Sequence, residues 1–163
     1  MHHLLSITCA FILFIGTHCS PSGAEVVSSE VLTGKVVSIA DGDTFTMLDA
    51  NNKQRKIRLH GIDAPEKRQP FGTVSKKRLS ELVFGKEVRV EKRATDRYKR
   101  IVAIVYADTL NINETMIAEG MAWHFTRYDQ NPAWTALETR ARSNKSGLWK
   151  DAHPLAPWEW RRK

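Results

Sequence analysis

Turn-forming residues interrupt the stretch from Leu32 to Tyr106 so often that no β-strand in it can run much beyond about ten residues. Leu32–Ala40 and Thr44–Leu48 are rich in β-branched and aromatic side chains and are separated by Asp41-Gly42-Asp43. Asp49-Ala50-Asn51-Asn52 makes a second turn before Lys53–Ile62, where Ile57 and Leu59 share one face and Arg58 and His60 take the other. Glu87–Lys92 alternates strictly and Ile101–Tyr106 is continuously apolar, with Thr95–Lys99 as the hairpin loop between them. One helix breaks the series: Val74, Leu79, Leu82 and Val83 lie at near-helical spacing, and Gly85 offers a stop. After Tyr106 the pattern turns helical. Asn113 is placed to cap a short helix through Ala118, ended by Gly120. Asn131-Pro132 opens another, with Trp134, Leu137 and Ala141 on one face and Gly147 at its close. Five short strands, one interposed helix and two that follow suggest an α+β domain, a small closed five-stranded β-barrel with three packed α-helices, and an OB-type β-barrel is one of the few such designs at this size.

At 163 residues, 42% of them hydrophobic, the chain holds one such domain and enough apolar material for its core. The first two dozen residues differ in kind. Leu4 to Gly16 is an almost unbroken apolar run, and no Lys, Arg, Asp or Glu precedes Glu25. Such a run is too short to span a bilayer as a helix but suits the apolar region of a secretory signal. With the small residues Ser22 and Ala24 ahead of the cleavage point, residues 1–24 read as a signal peptide. Residues 25–163 then form a single domain with a Trp-rich C-terminal tail, exported to the periplasm or secreted. An uncleaved N-terminal anchor is one alternative, and a lipidated Cys19 after signal processing is a weaker one, since Gly16-Thr17-His18 lacks the residues such sites favour. Cys9 and Cys19 both lie in the leader, so the processed chain carries no cysteine and no disulfide. After cleavage a monomer without stable membrane association is expected.

The net charge of +7 is concentrated: residues 53 to 100 hold sixteen Lys/Arg against six Asp/Glu, while the remainder is slightly acidic. A block this basic implies an anionic partner, with nucleic acid as the first candidate and an anionic membrane surface as the second. Yet inside the block, Arg-Leu-His-Gly-Ile-Asp-Ala-Pro-Glu (58–66) sets two acids at the end of a strand. Asp41-Gly42-Asp43-Thr44 sets two more at the end of another. If those strands are neighbours, both turns meet at one rim, and their carboxylates and carbonyls suit a hard cation such as Ca²⁺ or Mg²⁺. His60, His124 and His153 are too scattered to favour zinc.

Two arginines extend the pattern. Arg58 leads into the second acidic turn, and Arg100 follows Asp96-Arg97-Tyr98-Lys99. In-line attack on a phosphodiester gathers negative charge on equatorial oxygens, and planar guanidinium donors match that geometry. A carboxylate not holding a metal can orient or deprotonate the attacking water. The combination argues for phosphodiester hydrolysis. A glycosidase using Asp63 and Glu66 as its carboxyl pair would need neither the arginines nor the basic block.

With the Asp-Gly-Asp-Thr turn, Arg-Leu-x-x-Ile-Asp-Ala-Pro-Glu and Asp-Arg-Tyr-x-Arg present in order, the sequence from about Val31 to Trp149 resembles the staphylococcal nuclease family. The resemblance implies an OB-fold barrel with three helices and Ca²⁺-dependent, sugar-nonspecific endonucleolytic cleavage of DNA and RNA. Single-stranded or melted strands would be the substrate and 3′-phosphates the products. It also implies roles. Asp43 and Asp63 resemble the carboxylate ligands to Ca²⁺, Ala64 the residue giving a backbone carbonyl, and Asp41 an acid acting on the metal through water. Glu66 matches the residue that activates or positions the water, and Arg58 and Arg100 the two phosphate-gripping arginines. Arg97, Tyr98 and Tyr128 match positions that contact the nucleotide.

The chain departs from the family pattern in three places. Lys99 replaces a hairpin glycine, which bears on the placement of Arg100; Thr126 stands where the family has a second pocket tyrosine; and the segment after Glu66 is short. Trp134 and Trp149 are expected in the core, and the Pro-Trp-Glu-Trp tail is expected to pack on the domain, whereas Trp123 has no assignment. The competing expectation is a catalytically weak nucleic-acid-binding OB module. It would predict erosion at Arg58, Glu66 or Arg100, and all three are intact.

Overall fold

The computed structural model describes residues 30–163, so the expected signal peptide, its expected cleavage point and both cysteines lie outside the described residues. The chain runs β1 (Val31–Ile39), β2 (Thr44–Asp49), β3 (Gln54–Leu59), β4 (Ile62–Asp63), α1 (Gly72–Val83), β5 (Glu87–Thr95) and β6 (Ile101–Ala107). There follow β7 (Leu110–Asn111), α2 (Ile112–Ala118), β8 (Trp123–His124), α3 (Pro132–Ser143), a 3₁₀ turn (Gly147–Lys150) and α4 (Pro157–Trp160). The main sheet has the order β3-β2-β1-β5-β6-β7. All its neighbours are antiparallel except one pair: β3 and β6 run parallel, setting Ile57 beside Ile101 and Leu59 beside Ala103, and this seam closes the five long strands into a barrel. Register shifts at Val36/Ser38 in β1 and Lys92/Ala94 in β5 bend the strands enough for the sheet to meet itself.

Alternation along the strands fills the barrel. Val36, Phe45, Met47, Ile57, Leu59, Val88, Val90, Ala103 and Val105 are all buried. Leu79, Leu82 and Val83 of α1 and Met116 and Ile117 of α2 pack on the same core. Val74, expected on the apolar face of α1, is instead exposed, and Ser75 takes the buried position beside it. A second cluster gathers Trp123, Ala141, Leu148, Trp149 and Ala156, with Trp158 packed against it.

Two further expectations are corrected. The third strand does not reach Ile62. Gly61 turns the chain at φ +67, and a side chain there would collide with Asp129 and Trp134 at 2.7 Å. Beyond that turn Ile62 and Asp63 leave the barrel and pair with His124 and Trp123. The cap of α2 is Asn111, whose side chain accepts from the Glu114 N–H, and not Asn113. Asn113 is fully buried: its Oδ1 accepts from Val105 N at 3.0 Å and its amide donates to His60 O at 2.9 Å and Ala103 O at 3.2 Å. By contrast, Asn131 caps α3 with Pro132 following it, as the sequence predicts.

Candidate active site

Antiparallel pairing of β2 and β3 sets Thr44 opposite Arg58, so the Asp41–Asp43 turn and the strand leading to Asp63 share one rim. Gly42 lets the two acidic turns touch, since a Cβ there would lie 2.0 Å from Ser75 Oγ and 2.8 Å from the Ala64 side chain. The Asp43 carboxylate, 8% exposed, accepts from the Ala64 N–H and the Thr44 hydroxyl at 2.8 and 3.0 Å and pairs with Arg58 Nη1 at 2.8 Å. Arg58 also donates through Nη2 to Asp63 at 3.0 Å and through Nη1 to Ile62 O at 3.0 Å. One guanidinium thus ties both acidic turns together.

The hairpin settles the position of Arg100. Asp96 Oδ1 accepts from the Tyr98 and Arg100 N–H groups, and Asp96 Oδ2 accepts from Arg100 Nε at 2.7 Å. Lys99 sits at φ +61, a conformation a glycine would adopt without strain, and the turn keeps it even so. Arg100 Nη1 then reaches Thr44 Oγ1 at 3.4 Å. Arg97 and Tyr98 stand exposed at the hairpin tip, with Arg97 Nη2 donating to the Tyr98 hydroxyl at 2.7 Å. Tyr128 is also exposed and lies edge-on to Phe125, and no hydrogen bond or ion pair among the described residues joins its hydroxyl to the acids. Thr126 is exposed.

One neighbour was not foreseen. Arg161, just past α4, donates to Asp63 Oδ2 at 2.7 Å and to Glu66 Oε1 at 2.6 Å. A continuous path of polar contacts therefore runs Arg100–Thr44–Asp43–Arg58–Asp63–Arg161–Glu66. The Arg-Arg-Lys end that follows Pro-Trp-Glu-Trp is the only sequence signal for Arg161, and the packing expected of the tail says nothing of it.

The electrostatics of the acids are unequal. Burial raises the Asp63 pKa, and the opposing pull of Arg161 and Arg58 does not cancel it. Burial, with the adjacent Asp43 charge, lifts Asp41 to about 7. No salt bridge to Asp41 exists among the described residues, and the buried Ser75 Oγ beside Gly42 has no hydrogen-bond partner. Among the described residues no three acids, histidines or cysteines close into a ready-made metal cage. The donor chemistry nevertheless fits a hard cation: oxygens only, with Asp41 left without a cationic partner among the described residues.

Residues 56–151 match the model of the family described as staphylococcal nuclease homologues. An uncharacterized endonuclease of Haemophilus influenzae is 47% identical over 135 residues, covering 83% of this chain and 76% of that protein. The chain belongs to the staphylococcal nuclease family. A micrococcal nuclease of Shigella flexneri is 41% identical over 141 residues, covering 79% of this chain and 80% of its own. An uncharacterized endonuclease of Escherichia coli is 45% identical over 129 residues, covering 78% and 84%. As a staphylococcal nuclease homologue the protein is a nuclease, a phosphodiester hydrolase acting on nucleic acid. Its closed barrel with packed helices is the fold the family resemblance implied.

Proposed function

We propose that the protein is an exported, Ca²⁺-dependent, sugar-nonspecific endonuclease that cleaves single-stranded or melted DNA and RNA to 3′-phosphate products. The observation that carries this reading is the path of contacts that gathers Arg58, Arg100 and Glu66 around Asp43 and Asp63. Arg58 and Arg100 present planar N–H pairs to the phosphoryl oxygens, and their charge opposes the negative charge that grows there during attack. Glu66, a half-buried carboxylate at the rim, orients or deprotonates the water. Arg97, Tyr98 and Tyr128 are exposed, and we assign them to the nucleotide. Asp43, Asp63 and the Ala64 carbonyl would hold Ca²⁺, with Asp41 acting through water. When bound, the cation supplies Lewis-acid stabilisation of charge on the phosphoryl oxygen. Export rests on the apolar run Leu4–Gly16 and the small residues that follow it.

The test is hydrolysis of heat-denatured DNA and of RNA with Ca²⁺ or with a Ca²⁺ chelator, with end-group analysis of the products. Cleavage only with Ca²⁺, leaving 3′-phosphates, is expected, as is a loss of orders of magnitude in turnover for Glu66→Gln with nucleotide binding retained. Tight binding without cleavage under any divalent ion would favour a binding module instead. A fully active Glu66→Gln would remove Glu66 from the water-activating role.

A further inference from the structure

The match to the family model stops at residue 151, and Arg161 lies ten positions beyond it. Its guanidinium is nonetheless bonded to two functional carboxylates at once, Asp63 at 2.7 Å and Glu66 at 2.6 Å. The delivery is built into the fold. Trp158, one helical turn before Arg161, stacks on Phe125 with planes 5° apart and ring centres 4.8 Å apart, and lies edge-on to Trp123. Ala156 and Pro157, just before it, are buried, and Trp158 packs against the cluster that holds Ala156. Gln69 joins the tail to the loop that carries Glu66: its amide donates to Leu155 O at 2.6 Å while its Oε1 accepts from the Glu66 N–H at 3.0 Å.

We propose that Arg161 is a positioning residue for the nuclease reaction: resting on the nuclease reading above, it holds the Glu66 carboxylate in a fixed place relative to Asp63, so the C-terminal segment is part of the active site. Glu66 is 38% exposed, and Arg161 is the one side chain among the described residues that hydrogen-bonds its carboxylate. A glutamate with free rotors samples many positions, and fixing it before attack converts that loss of freedom into rate. The two-pronged geometry of a guanidinium matters here, because one group must serve two carboxylates. Its positive charge also offsets the charge of Asp63, so its removal should tighten binding of a cation while slowing the reaction.

The experiment compares wild type, Arg161→Gln, Arg161→Lys, Trp158→Ala and the control Arg162→Gln on denatured DNA with Ca²⁺. It is accompanied by thermal melting and by calorimetric Ca²⁺ binding without nucleic acid. Arg161→Gln is expected to lower kcat by about 10- to 100-fold with KM changed less than about threefold. It should also tighten Ca²⁺ binding by at least about threefold, because a neighbouring positive charge is gone. Arg161→Lys should recover only part of kcat. Trp158→Ala, with Arg161 present but undelivered, should reproduce the kcat loss while Arg162→Gln matches wild type. Wild-type or raised kcat in Arg161→Gln, a defect confined to KM, or weaker Ca²⁺ binding would overturn the proposal. A wild-type protein that cleaves nothing would refute the nuclease reading itself.

Discussion

Arg58→Gln should unfold the site before it disables the chemistry. Arg58, 15% exposed, is the cation paired with Asp43, and it shares with Arg161 the neutralisation of Asp63, which is 1% exposed. Glutamine keeps some hydrogen bonding but removes the charge, leaving two buried carboxylates facing each other. Breaking a buried ion pair by removing one partner costs about 3–5 kcal/mol. Arg161 still serves Asp63, so the lower end, about 3 kcal/mol, is expected in chelator at pH 8. For a domain this size the slope in urea is about 2 kcal/mol per molar, so the midpoint should fall by about 1.5 M. The loss should shrink at pH 5, where Asp41, lifted to about 7, is protonated and burial favours the neutral form of Asp63 over the charged one. On the proposed reading it should shrink also in saturating Ca²⁺, which would replace the missing charge. Tryptophan fluorescence during urea titration reads all three conditions. A midpoint shift below about 0.3 M, or one indifferent to both pH and Ca²⁺, would show that Arg58 does not neutralise these acids.

Asp41 makes stability depend on pH in the opposite sense to an ordinary surface carboxylate. The folded protein holds its proton up to a pKa of about 7, against an ordinary aspartate value of 3.8, so the folded state binds more protons between those values. Chelated protein should therefore lose stability as pH rises from about 4 to about 7, and Asp41→Asn should flatten that slope in urea melts; an unaltered slope would exclude Asp41 as its source. Asn113→Ala would strand the buried Val105 N–H and the His60 carbonyl, while the Ala103 carbonyl keeps the His60 N–H. Equilibrium unfolding should show a loss of about 2–4 kcal/mol, and a loss under about 1 kcal/mol would mean these groups find other partners.

Legibility followed sequence distance. The long strands, the α3 cap and the two acidic turns announce themselves through alternation and turn residues within a few positions. Their convergence was also foreseeable, because a short turn between β2 and β3 forces Thr44 opposite Arg58. Asn111 and Asn113 are both capping residues by type, and only the tertiary contacts of Asn113 with β6 decide between them. The departure of Ile62–Asp63 from the barrel depends on β8, and Arg161 meets Asp63 across 98 positions of sequence. Neither contact leaves a local trace. Trp123 had no role from its neighbours, yet it is the wall on which Trp149 and Trp158 rest.

The parallel seam between β3 and β6 carries a kinetic implication. Arg58 lies in register with Val102, and Arg100 precedes Ile101 where that seam begins. The two arginines become neighbours only when the β3–β6 pairing forms, across a chain interval that holds α1 and most of the β5–β6 hairpin. Such a non-local pairing is a late and slow event in folding. Partly folded chains, even those with most of their strands in place, would therefore be inert. Enzymatic activity regained during refolding would then time the closure of the barrel itself.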